Sequence, residues 1–262
     1  MAKPSTYISM ALGSILSIIF GILTSFYPSL GYLKSIIYVG SIMTIEHLPT
    51  NIQSYPYTYS PLIISFAGIL TLIASIKRSE REPTLCLLAT ILGSLGILSS
   101  LFEMGSEILT NRGVATYTIH FPGIAYLIML LGFLIIFASV LIRFRGPALT
   151  LLAIPLLTPL FIPTISLYIY IFIVSELQTT TPIVVSENLS SIIIYIYMVS
   201  LSSFWCTGFS CYLIFLGGTI SYTREQMPLG FFGELNLALF LFIPFAILTL
   251  RLFILPFYRF PP

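Results

Sequence analysis

The sequence contains no aspartate, and its 262 residues include only 11 Lys and Arg, nine acidic residues that are all Glu, two His, three Cys and one Trp. A soluble domain draws about a quarter of its residues from Asp, Glu, Lys and Arg, whereas charged residues here make up 8%. That shortage excludes a water-facing globule. A net charge of +2, scattered along the chain, also lacks the clustered basic face that nucleic acid requires.

Scarce cysteine and histidine exclude further chemistry. Cys86, Cys206 and Cys211 all fall in apolar runs, and the last two do not share a helical face. They read as packing residues and not as a disulfide or metal set. Haem held inside a membrane needs histidines at span depth, but His47 and His120 both fall where a surface is expected. No His-Glu-x-x-His, Gly-x-Ser-x-Gly, phosphate loop or intramembrane Asp occurs. Polar residues inside the runs, such as Asn236, form no catalytic set. The expectation is a non-enzyme with no cofactor, no metal and no soluble substrate.

What is abundant is apolar: 57% of the residues are hydrophobic, and the mean hydropathy is +1.03. Lipid must be the solvent for most side chains. Crossing roughly 30 Å of hydrocarbon takes about 20 helical residues, with every backbone hydrogen bond made internally. The reading is all-α: a polytopic transmembrane helix bundle forming a single integral membrane domain over residues 1–262. Seven runs qualify as spans, at residues 7–26, 61–76, 84–102, 122–142, 147–174, 191–216 and 232–257. An eighth, residues 32–45, contains Lys34 and is closed by Glu46, His47 and Pro49. It reads as an interfacial or re-entrant helix, with a full span as the alternative. No small-residue cleavage site follows the first run, so it is expected to be retained.

Cations beside short loops mark the cytoplasmic face. Lys77, Arg78 and Arg81 share one loop, Arg143 and Arg145 another, and Arg224 lies in a third. Pairs of spans separate them, so all three can lie inside together. Seven spans then put the amino terminus in the cytoplasm and the carboxyl terminus outside the cell membrane, although Arg251 and Arg259 run against the rule.

An offset of 64 residues carries Gly68 onto Gly132 and aligns Arg81-x-Pro83-x-Leu85-x-Leu87-Leu88-Ala89 with Arg145-x-Pro147-x-Leu149-x-Leu151-Leu152-Ala153. Ser75 falls on Ser139 in the same register. Apolar composition does not explain shared Arg, Pro and Ser, so a parallel two-helix repeat is expected, with units at residues 61–103 and 125–167.

Gly13, Ser17, Gly21 and Ser25, four apart, form one small-residue stripe on the first run. Such stripes let helices approach closely where lipid supplies no hydrophobic drive. Pro155, Pro159 and Pro163, again four apart, forbid a regular fifth helix. The freed carbonyls, with Thr158, Thr164 and Ser166, could line a transport path. The outer side collects Glu46, His47, Glu103, Glu107 and His120, which could bind metal or relay protons but read more simply as a solvated rim. Asn188 begins an acceptor sequon in an outer loop, and Tyr55, Tyr57, Tyr59, Tyr117 and Tyr168 fit an interfacial belt.

Ile37-Tyr38-Val39-Gly40-Ser41-Ile42-Met43 resembles a Tyr-Val-Gly-Ala-Ile-Met run in a small membrane subunit of respiratory complex I, over seven residues. Length and span number are similar to subunit III of haem-copper oxidases, whose aromatic-histidine signatures are missing here. No residue role is carried over from either family. The expected function is a non-catalytic accessory subunit that packs beside other integral membrane subunits of a respiratory or translocating complex. The alternative is a channel or transporter working through the proline-broken fifth run.

Overall fold

The computed structural model describes residues 4–38, 43–46, 59–78, 80–103, 106–111, 114–161 and 187–258. Helix α1 (Pro4–Phe26) is followed by the single turn α2 (Pro28–Gly31), strands β1 (Tyr32–Tyr38) and β2 (Met43–Glu46), and helices α3 (Tyr59–Lys77) and α4 (Glu82–Glu103). Strands β3 (Ser106–Asn111) and β4 (Val114–Pro122) lead into α5 (Ile124–Arg143). Beyond α5 the chain breaks into a 3-10 turn (Ala148–Leu152), one turn of α6 (Ala153–Leu156) and a second 3-10 turn (Thr158–Leu160). Two long helices follow, α7 (Glu187–Gln226) and α8 (Phe231–Tyr258).

Among the described residues four helices, α1, α3, α4 and α5, are long and apolar enough to cross a membrane, which is the character of a multi-pass helical membrane protein. The first four sequence runs coincide with them to within a few residues. The sixth and seventh runs lie inside α7 and α8, and the fifth is broken as far as residue 161.

Helix α1 sits between α3 and α5 and runs antiparallel to both. Its small residues set the spacing. A Cβ on Gly13 would meet the Gly132 carbonyl oxygen at 2.6 Å, and one on Gly21 would meet the Ser65 hydroxyl at 2.0 Å. Ser17 bridges the two neighbours: its hydroxyl donates to the Met129 carbonyl at 3.4 Å, and its carbonyl accepts from Ser65 at 3.3 Å. Buried hydroxyls here either bond back along their own helix, as Ser14 does to Met10, or across, as Ser14 does with Thr71 at 2.9 Å. Helix α4 covers α3, and the Phe133 ring of α5 fills the space that a Gly93 side chain would take. Helix α7 then lies across α4 and the broken segment through Gly217, Gly218 and Ser221.

The expectation that residues 32–45 form an interfacial helix is corrected where they are described, because Tyr32–Tyr38 and Met43–Glu46 are β1 and β2 of a four-stranded antiparallel sheet ordered β2-β1-β4-β3. Tyr32 pairs with Pro122, and Tyr38 with Thr116. Helix α1 leaves and α3 enters at the same end where α4 leaves and α5 enters, so both hairpins emerge together and can pair. A β-rich segment outside the hydrocarbon satisfies its backbone through a distant strand as well as a helix does. The Gly123 amide donates to the Gly31 carbonyl at 2.6 Å where the sheet joins the bundle.

At the opposite end, two arginines take the left-handed conformation that favours glycine: Arg78 (φ 42°) after α3 and Arg145 (φ 52°) after α5. The Arg78 amide donates to the Ala74 carbonyl at 3.2 Å, and the Gly146 amide to the Leu141 carbonyl at 2.8 Å, so both helices end in capped turns.

Candidate functional site at the charged end

The end of the bundle away from the sheet holds both of the ion pairs found among the described residues. Each partner sits where a helix dipole favours its charge. Glu82 lies in the first turn of α4 and Glu234 in that of α8, beside orphan amides. Arg143 lies in the last turn of α5 and Arg224 in that of α7, beside orphan carbonyls.

Glu82, Arg143 and Tyr7 form the first network. The Arg143 Nε donates to Glu82 Oε1 at 3.1 Å and to the Tyr7 hydroxyl at 3.1 Å, while that hydroxyl lies 3.4 Å from Glu82 Oε2. Glu82 is only 5% exposed, so this guanidinium stands where water would otherwise solvate the carboxylate. The network ties α1, α4 and α5 together at one level. The Arg78 guanidinium stands over the Tyr7 ring, 4.5 Å from its centroid, and adds α3 to the set. Arg143 in turn lies 4.9 Å from the centroid of the Phe144 ring.

In the second network, one edge of the Arg224 guanidinium, Nε and Nη2, donates to both oxygens of the Glu234 carboxylate, with Nη2 to Oε2 at 2.6 Å. Arg224 Nη1 also bonds the Arg145 carbonyl. Hydrogen bonding to Glu234 raises the Arg224 pKa above its already high ordinary value, so the cation is permanent. Helix α8 is thereby pinned to α7 at its start. Further along, the Tyr212 hydroxyl donates to the Ala238 carbonyl at 3.1 Å and its ring lies edge-on to Phe242, centroids 5.2 Å apart.

The small-residue stripe Gly13, Ser17, Gly21 and Ser25 lies buried in the α1 interfaces with α3 and α5. Of the three prolines, Pro155 lies in α6 and Pro159 in the second 3-10 turn, while Pro163 is outside the described residues. Pro155 and Thr158 are both exposed at the surface of the described bundle. Of the five residues of the outer polar group, Glu103 ends α4, Glu107 lies in β3, His120 in β4 and Glu46 at the end of β2, and His47 is outside the described residues. The sheet register does set Lys34 of β1 opposite Glu46 on one side and His120 on the other. No group of three metal-ligating side chains occurs among the described residues. Asn188 is the second residue of α7 and not part of a loop. Cys86 and Cys211 are buried and Cys206 half-buried, all three as free thiols.

The two networks escape a reading by spacing. Their members stand in loops and helix ends 61 and 10 residues apart. The one available signal is the placement of opposite charges on helix ends that the cation distribution assigns to the same side. Comparison with protein-family models, with curated proteins and with solved structures finds no significant match for this chain.

Proposed function

We propose that this chain is a non-catalytic subunit that crosses the cell membrane about seven times and packs beside a larger respiratory or translocating membrane complex. The amino terminus and the charged end are cytoplasmic in this reading, and the repeat units 61–103 and 125–167 are two copies of one helix pair. Residues matched by the 64-residue offset support the duplication: a Cβ on Gly68 would stand 3.3 Å from the Ser17 Cβ, and one on Gly132 would stand 2.8 Å from the Ser17 amide nitrogen.

One observation carries the subunit reading. Helix α8 packs on α7 but leaves Phe231, Phe232, Leu235, Leu239, Phe240, Phe242, Ile243 and Ile247 exposed, about half of its circumference. Lipid could cover those side chains. Asn236, however, is exposed in the same arc and makes no hydrogen bond to the described residues. Asn236 is two residues beyond Glu234, near the charged end, and a helix of another subunit packed on this arc would give its amide a partner. The charged end favours the same reading, because its buried carboxylate is neutralised and not left free to bind or couple an ion.

The transporter alternative rests on the broken segment after α5. Its Pro155 and Thr158 are exposed on the described bundle. The test is photocrosslinking in native membranes, with a photoreactive residue at Phe240 on α8 or at Ile15 on the exposed face of α1. A discrete protein adduct from Phe240 but not from Ile15, together with stoichiometric co-purification, is expected. Lipid adducts alone at Phe240, with no co-purifying protein, would remove the subunit reading.

A further inference from the structure

The loop joining α3 to α4 presents three cations, Lys77, Arg78 and Arg81, all exposed. None has a carboxylate partner among the described residues, because Glu82 is held by Arg143 and turned inward. Glu80 is the single free carboxylate in that loop. Arg78 is fixed twice over, by its left-handed backbone and by the Tyr7 ring beneath its guanidinium. The ring is itself immobilised through its hydroxyl by Arg143 and Glu82. No hydrogen bond or ion pair engages the Arg78 guanidinium among the described residues, so its N–H groups are free to grip a phosphate in a bidentate way. One residue nearer the bundle centre on each helix, Ile8 and Ile76 are 68% and 71% exposed. A preorganised phosphate grip therefore stands directly above bare apolar surface.

We propose that Tyr7, Lys77, Arg78 and Arg81 form a binding site for the headgroup phosphate of an anionic phospholipid, whose acyl chains run down over Ile8 and Ile76. The inference rests on the membrane placement above, and the apolar surface beneath the cations is what favours a lipid over free phosphate. Arg145 is the natural control: it is the same residue, also left-handed (φ 52°) and exposed at the same end, but has no ring beneath it among the described residues.

The test uses the full chain in nanodiscs of mixed phosphatidylglycerol and phosphatidylcholine, with retained lipids counted by native mass spectrometry. Arg78→Gly removes the guanidinium and relieves the backbone strain, so the variant should fold at least as well as wild type. It should hold phosphatidylglycerol about fivefold more weakly. Lys77→Gln/Arg81→Gln, which leaves Arg78 untouched, should weaken retention by a similar or larger factor. Arg145→Gly should match wild type. Equal behaviour of Arg78→Gly and Arg145→Gly would overturn the site. Displacement of the lipid by millimolar inorganic phosphate would overturn its assignment to lipid. Failure of the chain to integrate into nanodiscs at all would instead remove the membrane placement, and the proposal with it.

Discussion

Gly13 and Gly132 meet backbone to backbone: a Cβ on Gly13 would stand 2.6 Å from the Gly132 carbonyl oxygen, and one on Gly132 would stand 2.8 Å from that of Gly13. Neither neighbour is a flexible side-chain tip, so any substituent must push α1 and α5 apart. Gly21 is closed in the same way by Ser65 and the Pro61 carbonyl, whereas a Cβ on Gly230 would meet nothing within 4 Å.

The expected outcome is that Gly13→Leu, Gly21→Leu and Gly132→Leu each destabilise the bundle by at least about 3 kcal/mol, above the usual overpacking range because backbone must move. Gly230→Leu should be silent. Thermal unfolding and size profiles in mild detergent measure this. Equal profiles for Gly21→Leu and Gly230→Leu would show that α1 does not depend on its small residues.

The stripe on α1 was legible because a four-residue interval is a property of one helix. Its partners were not, since nothing local to Gly132 or Ser65 states which helix they will face. The same limit hid the Glu82–Arg143 pair, whose members stand 61 residues apart. It hid the sheet more completely: Tyr32–Tyr38 is short, apolar and β-branched in part, and only its pairing with Val114–Pro122 distinguishes a strand from an interfacial helix. Hydropathy located α1, α3, α4 and α5 well because lipid imposes length and internal hydrogen bonding together.

Removing Arg143 should cost more than removing the charge it neutralises. Arg143→Gln leaves the buried Glu82 carboxylate without a counter-ion, at a cost of about 2–4 kcal/mol. The lower part of that range is expected because the Arg143 side chain keeps 23% of its exposure and with it some water. Glu82→Gln should cost only about 1 kcal/mol, since the freed guanidinium can turn to solvent. The double variant should fall well short of the sum. Unfolding temperatures of the two single variants and the double variant form the cycle; strict additivity would mean that the pair is not coupled.

Opposite ends of the bundle should label from opposite sides of the membrane. With Cys86, Cys206 and Cys211 replaced, Glu80→Cys reports the charged end and Asn111→Cys the sheet end. An impermeant thiol reagent on intact cells should reach Asn111→Cys only, and lysis should expose Glu80→Cys. The reverse pattern would invert the topology and place the sheet in the cytoplasm.

The broken segment after α5 separates a scaffold from a carrier. Pro159 lies in a 3-10 turn, and the amide of Leu160 reaches the Leu157 carbonyl at 3.1 Å, so part of the irregular backbone is already satisfied within the segment. If the prolines merely bend the chain against α7, Pro159→Ala restores a donor, regularises one turn and leaves partner binding intact. If the segment lines a transport path, the carbonyl near Pro155 and the hydroxyl of Thr158 act as ligands or hinge, and Pro159→Ala and Thr158→Val should each abolish flux in a protein that still inserts. The first outcome is expected, since Thr158 is exposed and the buried charge at that end is already paired. Proton or solute flux in liposomes containing the purified chain alone, wild type against both variants, decides the matter. A wild-type flux well above that of empty liposomes, removed by both substitutions, would replace the subunit reading with a transporter.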